Sequence, residues 1–201
     1  MAVAALVLAA GASRRMGRPK PLLPWGDRTL LAWELDELER SCVDEIVVVT
    51  GSRAEEVRRS LGPRGRLCVF HAGWPQGRAT SLAAGARALA APGRERPEIL
   101  VVQNVDQPTR ADIVDRLVAE LRDSGAEAVQ PSFGGRAGHP VVLAGALLDE
   151  LAAVREETQG LRAVRDRHPP RLLAMEGEPL VRIDLDTPES LDEGRRLLGV
   201  A

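Results

Sequence analysis

Between Leu8 and Gly26 the sequence reads LAAGASRRMGRPKPLLPWG, with Arg14, Arg15, Arg18 and Lys20 and no acidic residue, although the whole chain carries a formal charge of −2. Cations and glycines gathered in one short loop suit a polyanion. The guanidinium and ammonium groups offset phosphate charge, and glycine lets backbone N–H groups approach the oxygens. The loop follows a run of small apolar residues that reads as a buried strand, so its cations are held beside a strand end rather than spread over an open face.

Spacing excludes two common phosphate loops. The P-loop needs glycine, four residues, then Gly-Lys-Ser/Thr. Here five residues separate Gly11 from Gly17, Lys20 is not next to Gly17, and Pro21 stands where a hydroxyl is required. The dinucleotide fingerprint needs a second glycine that Gly11-Ala12-Ser13 lacks, and Pro19, Pro21 and Pro24 oppose a helix starting directly after it. What remains is a long, proline-stiffened loop with backbone amides near Gly11 and Gly17. It leaves the carboxyl end of a strand, where open α/β sheets bind ligands.

Two further stretches bring carboxylates. EILVVQNVDQP delivers Asp106 to a strand end, just before a turn that Pro108 helps impose. A carboxylate there can hold Mg²⁺, a hard cation that takes one or two protein carboxylates together with phosphate oxygens. RIDLDTPES offers Asp184 and Asp186, which an extended segment would point to opposite sides. One of the two then faces the metal, and the other holds the loop or a second substrate. Thr187-Pro188-Glu189 also reads as a helix start, with Thr187 as N-cap and Pro188 at the first position, so either aspartate fits a structural role as well.

The elements that position these residues follow from periodicity. Short apolar segments at Ala4–Leu8, Glu45–Thr50, Leu67–Phe70, Ile99–Gln103 and Glu127–Gln130 predict strands; Thr29–Arg40, Ala54–Leu61, Thr80–Ala91 and Arg110–Arg122 have helical spacing. This alternation predicts an α/β fold with a mostly parallel sheet covered by helices on both faces, and the continuously apolar IVVV and ILVV suit strands buried on both sides. Beyond Pro131 come a glycine-rich turn, SFGGRAGHP, a polar helix near Gly160–Arg167, a strand near Val181–Asp184 and a last helix over Pro188–Leu198. No linker or repeat separates this part, so residues 1–201 are expected to form a single domain.

Composition narrows the function. With 44% hydrophobic and 28% charged residues, the chain has the balance of a folded globular protein. A near-neutral charge and only 2% aromatic residues argue against nucleic acid as partner, since neither a basic stripe nor stacking platforms are available. No apolar run reaches the ~18 residues of a membrane span. The N-terminal MAVAALVLAAGA lacks the basic start of an export signal, and Cys42 and Cys68 show no metal-ligand spacing, so a cytoplasmic location without a membrane partner is expected.

The loop LAAGASRRMGRPKPLLPWG resembles the signature of the molybdenum cofactor nucleotidylyltransferases, within the larger group of nucleoside-triphosphate transferases. The match rests on the Leu-Ala-Ala-Gly, Arg-Met-Gly and following Lys elements and extends through GWPQGRATSLAAG, VVQNVDQP, GGRAGHPVVL and DLDTPESL, nearly the whole chain. The resemblance implies a Rossmann-like three-layer sandwich with a mostly parallel mixed sheet, like that of the nucleotide-diphospho-sugar transferases. It also implies Mg²⁺-dependent transfer of a nucleotidyl group to the terminal phosphate of molybdenum-loaded molybdopterin, with release of pyrophosphate.

Carried onto this sequence, the resemblance makes Lys20, Arg15 and Asp106 the catalytic group. Ala9, Ala10, Gly11, Ser13, Arg15, Gly17, Lys20, Gly77, Ser81 and Asp106 would bind the nucleotide, with the amides that begin the helix after Gly77 near base and ribose. Asp106 and Asp186 would hold Mg²⁺. Gly138, His139, Pro140 and Asp184 would border the acceptor, although glycines and Pro140 in that turn also have a purely structural explanation. Trp25 and Trp33 read as packing residues and Trp74 as a candidate for the cleft wall; His71 and His168 have no constellation around them.

Ala9-Ala10 looks like the cytidylyl branch, whereas the guanylyl branch tends to carry glycine there, so CTP is the expected nucleotide. One methyl discriminates by only ~1–3 kcal/mol, which sets a preference. Asn104-Val105-Asp106-Gln107-Pro108 departs from the Gly-Asp-Met-Pro form common in the family, which leaves the acceptor open to another phosphorylated compound, such as a sugar phosphate. Two other classes are available to the fold: an NAD(P)H-dependent oxidoreductase, against which the missing dinucleotide fingerprint counts, and a carrier that passes the cofactor to a client molybdoenzyme.

Overall fold

The computed structural model describes residues 2–13 and 17–200; the predicted loop cations Arg14 and Arg15 lie outside the described residues. The chain runs through β1 (Val3–Ala9), the short β2 (Pro24–Trp25) and β3 (Arg28–Thr29), α1 (Leu30–Arg40), β4 (Glu45–Thr50), α2 (Ala54–Ser60), β5 (Cys68–Phe70), α3 (Arg78–Leu89), β6 (Ile99–Asn104) and α4 (Ala111–Ser124). There follow β7 (Ala128–Phe133), β8 (Arg136–Ala137), β9 (Val141–Ala144), α5 (Leu148–Ala153), α6 (Leu161–Arg167), β10 (Arg171–Ala174) and α7 (Pro188–Leu198).

The main sheet has the order β10-β7-β9-β6-β1-β4-β5, with β8 hairpinned onto β7. Strands β6, β1, β4 and β5 are parallel, β9 is antiparallel to both its neighbours, and β10 is parallel to β7. The expected α/β sandwich with a mixed, mostly parallel sheet is the fold observed.

Strand alternation sorts β1 between two cores. Val3, Ala5, Val7 and Ala9 face the layer of α1 and α4, while Ala4 and Leu6 face that of α3 and α5. Helix α4 turns Ile113, Val114, Leu117, Val118 and Leu121 inward, the stripe expected of a helix lying on a sheet. Helix α3 sits close because it is built of small residues. A Cβ at Gly85 would collide with Leu6 and Val49, so any larger residue there would push the helix off β1 and β4.

The register places Leu8 of β1 opposite Asn104 of β6, and Val105 N–H continues the ladder to the Leu8 carbonyl at 3.2 Å. The loops after these two strands therefore leave the sheet side by side. This pairing carries Lys20 and Asp106 to the same edge.

The strand expected near Val181–Asp184 is absent: Pro179–Arg182 forms a 3₁₀ turn, and the strand that completes the sheet is β10. Pro179 has no N–H to offer a ladder, and Val181 and Ile183 turn their N–H groups back onto the Glu178 and Leu180 carbonyls. Helix α7 begins as predicted, with Thr187 as N-cap in a reciprocal box with Ser190 and Pro188 in the first turn.

Candidate active site

The loop after β1 is shaped by its prolines and by Ser13. Pro19 and Pro21 flank Lys20 at the start of a 3₁₀ turn, closed by Leu22 N–H on the Pro19 carbonyl and Leu23 N–H on the Lys20 carbonyl. Ser13 Oγ accepts the Lys20 backbone N–H at 2.9 Å, drawing the loop back over the end of β1. Lys20 is thereby buried, at 8% exposure, with its ammonium directed at carboxylates from distant parts of the chain.

Lys20 Nζ donates to Asp106 Oδ2 at 2.8 Å and to Asp186 Oδ1 at 2.6 Å. Burial opposes the lysine's charge, but the hydrogen bonds and charges of Asp106 and Asp186 outweigh it and raise its pKa above the ordinary value. The ammonium stays protonated throughout the neutral range.

Asp184 joins the same cluster. Carboxylate oxygens of Asp106, Asp184 and Asp186 all lie within 4.8 Å of one another. Opposite orientation of the two neighbouring aspartates, expected for an extended segment, is corrected here: Asp186 N–H bonds the Asp184 carbonyl at 2.9 Å, a three-residue turn centred on Leu185. Leu185 is fully buried, and its N–H bonds the Asp106 carbonyl at 2.8 Å, so the turn is fastened to the Asp106 loop while its two carboxylates share one side. Burial, then the nearby charges of Asp106 and Asp186, push the Asp184 carboxyl above its usual range. Three oxygen donors in mutual repulsion, already compensated by an ammonium, form the all-oxygen set suited to a hard divalent cation.

Around this cluster lies a cleft of about 480 Å³. The predicted Ala9, Ala10, Gly11 and Ser13 form one wall, Gly77 and Ser81 another, and Lys20, Asp106 and Asp186 the floor. Trp74 does line it, its ring lying where a Cβ on Gly51 would be. Gly17 is exposed on the loop beyond the cleft, with a left-handed φ of 65°.

Gly138, His139 and Pro140 are not among the cleft-lining residues. Their turn is held by Gly138 N–H on the Pro131 carbonyl at 2.7 Å and His139 N–H on the Val181 carbonyl at 2.8 Å. Burial first, then the nearby Arg165, lowers the His139 pKa to about 4, with the Asp106 charge opposing. The imidazole is neutral at pH 7 and within electrostatic reach of the carboxylate cluster.

Sequence reasoning missed three contributors. Arg78 lines the cleft with its guanidinium 3.9 Å from Asp106 Oδ2; a single arginine after Gly77 carries no distinguishing signal. Asn104 also lines the cleft and closes the Asp106 turn by donating from Nδ2 to Gln107 Oε1 at 2.6 Å, so the departure from the family's Gly-Asp-Met-Pro form is a side-chain-fastened turn. Glu156 Oε2 accepts the Ala79 N–H at 2.9 Å, so this amide at the start of α3, expected to meet nucleotide, already has a partner.

A mixed, mostly parallel sheet with a cationic loop after its first strand and an acidic cluster at the same edge suits an enzyme that handles a phosphate chain and a divalent cation. A family model described as the MobA-like NTP transferase domain matches residues 5–172, and the chain belongs to that family. It is 27% identical to the molybdenum cofactor cytidylyltransferase of Escherichia coli (strain K12), over 94% of this chain and 93% of the relative. It is also 33% identical to the nicotine blue oxidoreductase of Paenarthrobacter nicotinovorans, over 83% of each. A crystal structure of Rv0371c from Mycobacterium tuberculosis H37Rv in complex with manganese superposes with a TM-score of 0.75 at 28% identity, covering 99% of this chain and 98% of that one. No helix among the described residues is long and apolar enough to cross a membrane.

Proposed function

We propose that the protein transfers CMP from CTP to the terminal phosphate of molybdenum-loaded molybdopterin in a Mg²⁺-dependent reaction. An acceptor phosphate oxygen bonds to the α-phosphorus, the bond from that phosphorus to the bridging oxygen breaks, and pyrophosphate leaves. The observation that carries the reading is Lys20 held at hydrogen-bond distance from Asp106 and Asp186 on the floor of a cleft walled by the loop after β1.

Such a transfer is accelerated chiefly by in-line positioning and by fixed charge where phosphate charge develops. Lys20, Arg78 and, from the predicted loop, Arg15 supply positive charge for the triphosphate. Asp106 and Asp186, joined by Asp184, are the residues to hold Mg²⁺, which when bound neutralises phosphate oxygens. Hard oxygen donors support that metal, as does the manganese complex of the mycobacterial relative. Ala9 and Ala10 belong to the cleft wall, with Ala9 packed in the α1 and α4 layer and Ala10 in the α3 and α5 layer, and the likeness of this Ala-Ala pair to the cytidylyl branch is what favours CTP. The acceptor lies toward Gly138, His139 and Pro140, where neutral His139 can donate or accept a hydrogen bond without adding charge.

The likeness to nicotine blue oxidoreductase favours a second reading, reduction of a heterocyclic compound by NAD(P)H. Purified protein given Mg²⁺, molybdenum-loaded molybdopterin and each of CTP, GTP, ATP and UTP separates the readings. Pyrophosphate release with CTP supports the first; no release with any nucleotide, together with binding of NAD(P)H, supports the second.

A further inference from the structure

Behind the Asp106 turn, on the side away from the cleft, α1 places an acidic residue in an apolar layer. Glu34 shares the inner face of α1 with Leu30, Leu31, Leu35 and Leu38 and is 1% exposed. Neither of its carboxyl oxygens has a hydrogen-bond partner among the described residues. Its neighbour is Gln103, on the face of β6 that also presents Ile99 and Val101 to this layer.

The amide of Gln103 determines what Glu34 must be. Gln103 Nε2 donates to the carbonyls of Asn104, at 3.1 Å, and Gln107, the two ends of the turn that carries Asp106. Carbonyls accept and cannot donate, so both N–H protons of Gln103 are committed to them. What Gln103 has left is Oε1, buried and also without a partner. An ionised Glu34 would set acceptor against acceptor in a dry site, near the negative Asp106; a protonated Glu34 supplies the one missing donor and satisfies an oxygen on each side. Burial first, and the Asp106 charge second, hold the Glu34 carboxyl well above the ordinary glutamate range, outweighing the smaller opposite effect of the Gln103 side chain.

We propose that Glu34 is a neutral carboxylic acid whose O–H donates to Gln103 Oε1, making it a positioning residue that braces the Asp106 turn against the core. The inference rests on the reading of Asp106 as a metal carboxylate. Groups that hold a metal ligand in place typically change affinity or activity 10–100-fold when removed. Glutamine at position 34 keeps a donor of similar shape, whereas methionine removes it.

The test compares wild type, Glu34→Gln, Glu34→Met and Asp106→Asn in two measurements on the full chain. Infrared spectra at neutral pH should show a protonated-carboxyl stretch that is lost in Glu34→Gln. Titration with Mn²⁺, read by thermal shift and by the electron spin resonance of free Mn²⁺, should give Glu34→Gln an affinity within about twofold of wild type and Glu34→Met one about tenfold weaker. Absence of the carboxyl band overturns the proposal even if Glu34→Met fails to fold. So does a Glu34→Gln that binds Mn²⁺ as poorly as Glu34→Met, or a Glu34→Met that binds as wild type. Wild-type Mn²⁺ binding by Asp106→Asn would instead overturn the metal assignment on which the inference rests.

Discussion

Lys20 Nζ and Asp106 Oδ2 stand 2.8 Å apart although 86 positions separate the two residues in sequence. Both are largely buried, and Asp186 completes the ion-paired group. Removing one partner of such a group leaves charge uncompensated. Lys20→Met should therefore lower the rate of pyrophosphate release by about 10²–10³-fold. It should also make Mg²⁺ raise Tm more than in wild type, because the divalent ion takes over compensation of the three carboxylates. Parallel rate and thermal-shift measurements check both halves.

His139 predicts a dependence on acid. Its pKa is lowered to about 4 by burial and then by Arg165, against an unfolded value near 6.5. The unfolded state binds the proton more readily, so this contribution to stability is complete above about pH 6.5 and is lost as pH falls toward 4. The full loss is on the order of 3 kcal/mol. Urea unfolding of wild type and His139→Asn at pH 7, 5.5 and 4.5 should show the two curves converging as pH falls. A difference that does not change with pH would contradict a buried neutral imidazole.

Asp184 has the opposite sign. Its carboxyl is pushed up by burial and by two like charges, so its stability contribution is present below the unfolded pKa and is lost as pH rises through the folded one. Asp184→Asn should raise Tm of the metal-free protein near neutral pH and at the same time weaken Mg²⁺ binding. Thermal scans with chelator and with graded Mg²⁺ read the two effects separately.

Gly77 holds a φ of 129°, and a Cβ there would run into the Glu156 carboxylate that accepts the Ala79 N–H. Gly77→Ala should cost about 1–3 kcal/mol through backbone strain and displace Glu156 from the start of α3. Because Gly77 and Ser81 wall the cleft, CTP binding measured by calorimetry should weaken as well, while Gly93→Ala, remote from the cleft, should leave it unchanged.

Much of this arrangement was legible in the sequence because its signals are local. IVVV and ILVV are apolar without interruption because both faces of β4 and β6 are covered, and the Thr187-Pro188 start of α7 is a two-residue cue. The cationic loop and Asp106 stood out by residue type. Features set by tertiary contact did not. Strand β10 has the sequence RLLA with largely exposed residues and no alternation to reveal an edge strand. Leu180 to Ile183 has the composition of a strand, but Pro179 and local N–H bonds turn it into a 3₁₀ segment. Asp184 and Asp186 share a side only because Leu185 is drawn into the core, and Glu156 reaches Ala79 across 77 positions.

The central claim is nucleotidyl transfer at the Lys20, Asp106 and Asp186 cluster. It is tested most directly by pyrophosphate release from CTP and molybdenum-loaded molybdopterin in Mg²⁺, comparing wild type with Asp106→Asn after circular dichroism has shown both folded. Wild type should turn over, and the variant should lose about 10³-fold or more. Equal turnover by the two proteins would contradict the claim.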